Sequence, residues 1–290
     1  ETHKEVTMIA YNFDYKVANS MEEAFSMLAE AGEDGSFIAG GHSVVPAMKL
    51  RLSEPSILID ISRLPGMSDI SQDGETISIG GLVTHAEVAS SDVVKNACPG
   101  LAECAGVIGD PQVRNKGTMG GNVAHADPGS DYPGALVAFG ATICLASASG
   151  SREVSAEDYF TGLFETAKED GEMVTSVKVP ASSASAYVKF PNPASRYAVV
   201  GVGVSLNMSG GSCKSASVGV TGAADHAYRA GGSESALAGS DLGDDALDAA
   251  ASAATDGQDM MSDLAASADY RAHLCGVMLK RAVEKAKARA

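Results

Sequence analysis

With 290 residues the chain exceeds the usual single domain, and two domains with separate cores are expected. Hydrophobic residues at 45% and charged residues at 20% describe a globular protein, and no stretch approaches the ~20 consecutive apolar residues of a membrane span. A net charge of −16, from 37 acidic and 21 basic side chains, argues against nucleic acid or an anionic membrane as partner, and aromatics at 5% without tryptophan leave little for stacking bases.

From the N-terminus, Glu1-Thr2-His3-Lys4-Glu5 has no signal-peptide pattern, so a soluble, cytoplasmic protein is expected. Ser20-Met21-Glu22-Glu23 reads as a capping box, and Met21, Ala24, Phe25 and Leu28 follow at helical spacing until Gly32 and Gly35. Residues 36–39 read as a strand, 44–52 as a helix and 57–61 as a buried strand, completing a βαβ-like N-terminal lobe over about residues 8–64. A middle lobe, about residues 65–180, opens at Pro65-Gly66. In it Thr76-Ile77-Ser78-Ile79 alternates as a strand, Gly80-Gly81 turns, and Thr84-His85-Ala86-Glu87 caps a helix. Helices are expected at 101–107 and 135–139, and strands at 141–145 and 173–179.

Ala181-Ser182-Ser183-Ala184-Ser185 is the linker-like stretch, so the domain boundary is placed there, between residues 1–180 and 186–290. Beyond it, residues 186–190, 198–208 and 213–220 read as three strands, the last two joined at Ser209-Gly210-Gly211. Helices follow near 244–254 and 269–288. The basic end Lys285-Ala286-Lys287-Ala288-Arg289 suits a solvated helix C-terminus, and Lys280 stands four residues before Glu284.

The chemical signal lies in two glycine pairs. Ala39-Gly40-Gly41-His42-Ser43 follows the first lobe's strand, and Thr118-Met119-Gly120-Gly121-Asn122 opens the segment running to Val123-Ala124-His125-Ala126-Asp127-Pro128. Paired glycines permit positive φ and remove the Cβ atoms that keep a ligand from the backbone, so successive N–H groups can converge on an anion. Either pair alone reads first as a tight turn; two together suit a diphosphate held from both sides. Gly80-Gly81 leads into an ordinary capped helix and is assigned no ligand. The cysteines, Cys98, Cys104, Cys144, Cys213 and Cys275, match no zinc or iron–sulfur spacing and read as buried or free thiols. No G-x-S-x-G elbow, H-E-x-x-H pair or Walker loop marks hydrolysis or metal catalysis.

Residues 39–46, Asp110-Pro111-Gln112-Val113-Arg114-Asn115-Lys116-Gly117 with the second glycine motif, and Ala124-His125-Ala126-Asp127-Pro128 closely resemble the FAD-binding subunits of the molybdenum hydroxylases. The nearest likeness is to the medium subunits of aerobic carbon monoxide dehydrogenases, and it extends over nearly the whole chain. The family's chains begin near the equivalent of Met8-Ile9, so residues 1–7 read as an added segment or a short extension. The resemblance implies an α+β fold: a two-lobed, PCMH-type FAD-binding domain, then a C-terminal domain with a three-stranded antiparallel sheet and helices. It implies FAD held by Ala39, Gly40, Gly41, His42 and Ser43 and by Thr118, Met119, Gly120, Gly121 and Asn122. Gly109 and Asp131 would also line the site, and Lys189 and Tyr197 would reach the isoalloxazine ring.

The same resemblance implies an electron-transfer subunit of a heterotrimer, assembled as a dimer of heterotrimers. A large subunit would hold molybdopterin and a small subunit the 2Fe-2S clusters, with quinone, NAD, cytochrome or oxygen as acceptor and membrane contact only through a quinone. A stand-alone flavin reductase or oxidase on the same fold is the alternative. Rival readings of single residues stay open: His42 and His125 as loop histidines, Asp127 and Asp131 as helix N-caps, Tyr197 as core, Lys189 as solvent-facing. The two prolines in Lys189-Phe190-Pro191-Asn192-Pro193 depart from the carbon monoxide dehydrogenase pattern, leaving carbon monoxide, an N-heterocycle or an aldehyde as substrate.

Overall fold

The computed structural model describes residues 8–290; the reading of residues 1–7 lies outside the described residues. The N-terminal lobe runs β1 (Asp14–Val17), α1 (Met21–Ala31), β2 (Gly35–Ile38), α2 (Val44–Lys49) and β3 (Ile57–Asp60). Its strands form a parallel sheet in the order β1-β3-β2. Glu23 N donates to Ser20 Oγ at 3.1 Å, as the cap predicts, but the Glu23 carboxylate reaches one residue further back and accepts from Asn19 N at 2.7 Å. Gly32, at φ +60°, closes the helix.

The middle lobe contains β4 (Ile70–Asp73), β5 (Thr76–Gly80), α3 (His85–Ser90), α4 (Asp92–Ala97), α5 (Pro99–Gly106), α6 (Pro111–Arg114), α7 (Met119–His125) and α8 (Asp131–Ala138). It continues through β6 (Thr142–Ser147), β7 (Gly150–Ser155), α9 (Ala156–Tyr159), β8 (Phe160–Gly162), β9 (Glu165–Thr166) and β10 (Met173–Pro180). An antiparallel sheet ordered β4-β5-β10-β6-β7 forms its frame. The alternation read at residues 76–79 buries Ile77 and Ile79 against Leu101, Met119, Leu136 and Ile143. The box at Thr84 closes in both directions: Thr84 N donates to Glu87 Oε2 at 2.8 Å and Glu87 N to Thr84 Oγ1 at 3.3 Å.

The C-terminal unit holds β11 (Ser185–Pro191), β12 (Ala198–Ser209), β13 (Ser212–Thr221), β14 (Tyr228–Arg229), α10 (Gly231–Leu237), α11 (Asp244–Ser252) and α12 (Ala268–Lys287). The three antiparallel strands are present, and the two-residue β14 adds a fourth at the edge. Helix α10 escaped the sequence because Gly231-Gly232-Ser233 are poor helix formers; its buried Ser233 and Leu237 anchor it instead. Along β12, Val200, Val202 and Val204 face the core that contains Met278, Leu279 and Val283 of α12. Gly201 and Gly203 face the other way. There α8 lies so close that a Cβ on Gly219 would fall 2.1 Å from Gly134 O, and one on Gly203 2.9 Å from Ala138 Cβ. Helix α8 is buried along its full length between the middle lobe and this sheet.

Two local readings need correction. Residues 181–185 are no free linker: Ala181 N donates to Glu75 O and Ser182 N to Ala97 O, both at 2.7 Å, and Gly100 N donates to Ser185 Oγ at 3.1 Å. The basic end of α12 is not merely solvated. Lys285 and Arg289 both pair with Glu103 of α5, and Lys280 pairs with Asp248 of α11 rather than with Glu284. No helix of the described residues is long and apolar enough to cross a membrane.

Candidate functional site

A cavity of about 550 Å³ opens where the two lobes meet the β11–β12 turn. Of the expected residues, Ala39, Gly40, Gly41, His42, Ser43, Gly109, Thr118, Gly120, Gly121, Asn122, Asp131 and Tyr197 line it. Met119 and Lys189 do not. Met119 follows the Thr118 cap with its side chain fully buried in the middle-lobe core, and Lys189 lies one layer behind the wall.

The two glycine loops differ in what they offer. β2 delivers the first, in which Gly41 takes φ +72°, a conformation strained for any residue with a Cβ. Among the described residues, no acceptor takes the backbone N–H groups of residues 40–44; Val45 N turns inward to Gly41 O at 3.1 Å. His42 Nδ1 lies 3.1 Å from Gly40 O, which fits the loop-histidine reading, although the residue also lines the cavity. Gly40 has a separate reason to be glycine. A Cβ there would lie 1.9 Å from Lys116 O, so the first loop is laid directly on the segment entering the second.

In the second loop the N–H groups are already committed. Met119 N donates to Val83 O at 2.9 Å, Gly120 N to Gly81 O at 2.8 Å, and Gly121 N to the capping Thr118 Oγ1 at 3.1 Å. The first loop therefore keeps its amides uncommitted among the described residues, while in the second only side chains remain free. Asn122 accepts from Ser130 Oγ through Oδ1 at 2.7 Å, which leaves its amide nitrogen for the cavity. Gly81, assigned no ligand from sequence, is part of the cavity wall and the seat of Gly120.

Asp131 is the first residue of α8, not its cap; the N-cap is Ser130. Its carboxylate accepts from Tyr187 Oη at 2.7 Å and Lys189 Nζ at 2.8 Å, with the acid and lysine side chains only 4% and 6% exposed. Burial pushes the Asp131 carboxyl up from its ordinary range, and the Lys189 ammonium opposes this. Lys189 Nζ also donates to Arg196 O at 2.7 Å, and Arg196 sits at φ +64° immediately before Tyr197. One ammonium group thus ties the middle lobe to the turn carrying Tyr197. Tyr197 is not core: it is 45% exposed and lies against Gly129, where a Cβ would meet its ring at 3.3 Å. Asp127 accepts from Gly129 N at 2.8 Å and shapes that turn rather than capping a helix.

Sequence reasoning missed His85, which is 3% exposed and lines the cavity behind the second loop. Burial, with lesser contributions from His42 and Arg114, pushes its imidazole down to about 4, so it is neutral near pH 7. His125 also lines the cavity, its ring 5.3 Å from that of Phe164. On the far rim, Arg152 forms a two-point pair with Glu172 at 2.6 and 2.8 Å and holds that carboxyl below its ordinary range.

Residues 11–182 match the family described as the FAD binding domain in molybdopterin dehydrogenase, and residues 185–286 match the CO dehydrogenase flavoprotein C-terminal domain. The chain is 38% identical to the carbon monoxide dehydrogenase medium chain of Hydrogenophaga pseudoflava, over 97% of this chain and 99% of that one. It is 36% identical to the 6-hydroxypseudooxynicotine dehydrogenase complex subunit alpha of Paenarthrobacter nicotinovorans, over 96% of each. Among solved structures, CO dehydrogenase from Oligotropha carboxidovorans superimposes with a TM-score of 0.94 at 38% identity, covering 97% of this chain and 100% of that one. Quinoline 2-oxidoreductase from Pseudomonas putida 86 gives 0.91 at 31% identity, covering 97% and 99%.

Proposed function

Because this chain belongs to the FAD-binding medium subunits of the molybdenum hydroxylases, we propose that it relays electrons from iron–sulfur clusters on a partner subunit to an external acceptor. The observation that carries the reading is the uncommitted row of N–H groups at residues 40–44, on the wall of a cavity of about 550 Å³. A row of free donors in a glycine-built loop is the chemistry a diphosphate requires, so the residues present fit FAD. Bound there, FAD supplies a carrier able to take electrons one at a time and release one or two.

In this reading Gly40, Gly41, His42 and Ser43 donate backbone hydrogen bonds to the diphosphate, with the Thr118 and Asn122 side chains closing on it from the second loop and Gly121, lacking a Cβ, leaving them room. Ala39 and Gly120 shape the floor, and Gly109 lets the chain turn beneath it. Asp131, fixed by Tyr187 and Lys189, accepts from the ribityl hydroxyls, and Tyr197 covers a face of the ring. Lys189 acts by holding Asp131 and the Tyr197 turn in place, and Met119 by anchoring the loop in the core. Residues 1–180 carry the cofactor, and residues 186–290 supply the lid and its support.

The partners in this reading are a large molybdopterin subunit and a small 2Fe-2S subunit, arranged as a dimer of heterotrimers in the cytoplasm. The relatives are named for carbon monoxide, a nicotine derivative and quinoline. Substrate choice therefore belongs to the large subunit, and carbon monoxide, an N-heterocycle or an aldehyde are the classes to try, with a quinone or soluble acceptor. The test is co-expression with the neighbouring large and small subunit genes. A yellow complex whose flavin absorbance bleaches when substrate is added under anaerobic conditions supports the proposal. A chain that takes up no FAD, or that purifies alone as an active reductase, overturns it.

A further inference from the structure

We propose that His85 is an additional cofactor-binding residue, its Nε2–H donating to a diphosphate oxygen of FAD at the seam between the two glycine loops. The inference rests on the reading above, that this cavity holds FAD with its diphosphate at the loops. His85 lines the cavity with a ring nitrogen, Nε2, that no group of the described chain engages. His85 is 97% buried, its Nδ1 is sealed from any partner, and Nε2 makes no hydrogen bond among the described residues. Nδ1 is the sealed nitrogen, so Nε2 is the one a ligand can reach.

The position of the ring puts Nε2 at the seam of the two loops. A Cβ on Gly117 would fall 2.5 Å from His85 Nε2 and 2.8 Å from Cδ2, so the imidazole edge lies directly on the residue preceding Thr118. Lys116, the residue before that, is the one against which Gly40 packs. His85 therefore reaches the cavity where the first loop meets the second, with Nε2 as the ring nitrogen not sealed into the core. The ring is held there at both ends. The double-sided Thr84–Glu87 box fixes the backbone, and Tyr132 packs edge-on with centroids 5.2 Å apart. Kept neutral by burial, the imidazole offers one donor without adding an unpaired charge to the core. A ligand oxygen at Nε2 would give the ring its one hydrogen bond, while Nδ1, the acceptor nitrogen of that tautomer, stays unpaired in the core.

The experiment strips FAD from the full-length protein and titrates the apoprotein with FAD, ADP and riboflavin in wild type, His85→Phe and His85→Gln. ADP carries the diphosphate without the flavin; riboflavin carries the flavin and ribityl chain without it. His85→Phe keeps the bulk and the edge contact but not the donor. It is expected to weaken FAD and ADP by about tenfold or more, the worth of a hydrogen bond to a charged group, with riboflavin unchanged. His85→Gln keeps an N–H and should recover most of the loss. The deciding quantity is the ratio of ADP to riboflavin affinity within one variant, and His85→Leu supplies it if the phenylalanine does not fold. FAD and ADP binding within twofold of wild type in His85→Phe overturns the inference, as does an equal loss for riboflavin. A wild-type protein that binds no FAD overturns the functional reading itself, which separates the two failures.

Discussion

Replacing Gly40 with alanine is expected to part the two glycine loops. The new Cβ would lie 1.9 Å from Lys116 O and 2.7 Å from Lys116 C, backbone atoms that cannot rotate aside. Ordinary van der Waals contact begins at 3.4 Å, so one loop must retreat by about 1.5 Å. Gly40 is not among the positive-φ glycines, so the clash is the main effect and backbone strain a minor one. Overpacking of this kind costs about 1–3 kcal/mol. The apoprotein can relax by opening the seam, whereas a bound diphosphate needs it closed, so most of the cost should appear in cofactor affinity. At 1.4 kcal/mol per factor of ten, FAD binding should weaken about 10- to 100-fold. Flavin fluorescence titration of the apoprotein, alongside thermal melts, measures both parts. Gly106→Ala is the control, since its Cβ meets only Ala89 Cβ at 3.9 Å. A Gly40→Ala protein that binds FAD within twofold of wild type and melts with it would refute the reasoning.

Three further outcomes follow from the same geometry. Lys189→Met strands the buried Asp131 carboxylate and frees Arg196 O, and should destabilise by about 3–5 kcal/mol in urea unfolding; Lys189→Met with Asp131→Asn should recover most of this. Glu103→Gln removes the counter-charge of Lys285 and Arg289, and should cost about 1–2 kcal/mol at low salt, less at high salt, with faster hydrogen exchange at Tyr187, whose N–H donates to Glu103 Oε2 at 3.2 Å. The third concerns pH. His85 titrates near 4 when folded against 6.5 unfolded, so between those values the unfolded chain binds the extra proton and stability falls as pH falls. The loss should reach at most about 3 kcal/mol. It is read as the difference in stability slope between wild type and His85→Phe; equal slopes would show that His85 is not the group responsible.

What could be read beforehand was local. Ser20 and Thr84 announce their helices within four residues, and each glycine pair sits in one turn, so the short-range chemistry that decides them was visible. His85 belongs to the same capping signature as Thr84, yet its position at the cavity depends on the distant Gly117, which no nearby pattern marks. Lys189, between Val188 and Phe190, looked outward from its strand, but outward from that strand lies the middle lobe, with Asp131 beneath it. The serines and alanines of residues 181–185 have a flexible composition, and only the assembled fold supplies Glu75 O and Ala97 O to fasten them. Likewise Lys285 and Arg289 fit a helix dipole on their own, and Glu103 reaches them only after folding.

Strand β11 divides its side chains between two interiors, Tyr187 joining the middle-lobe core and Ala186 that of the C-terminal unit. With α8 wedged between the same bodies, neither can shed the other without wetting apolar surface. Calorimetry should accordingly register a single endotherm rather than two, and a fragment ending at residue 180 should be insoluble or molten rather than a working half.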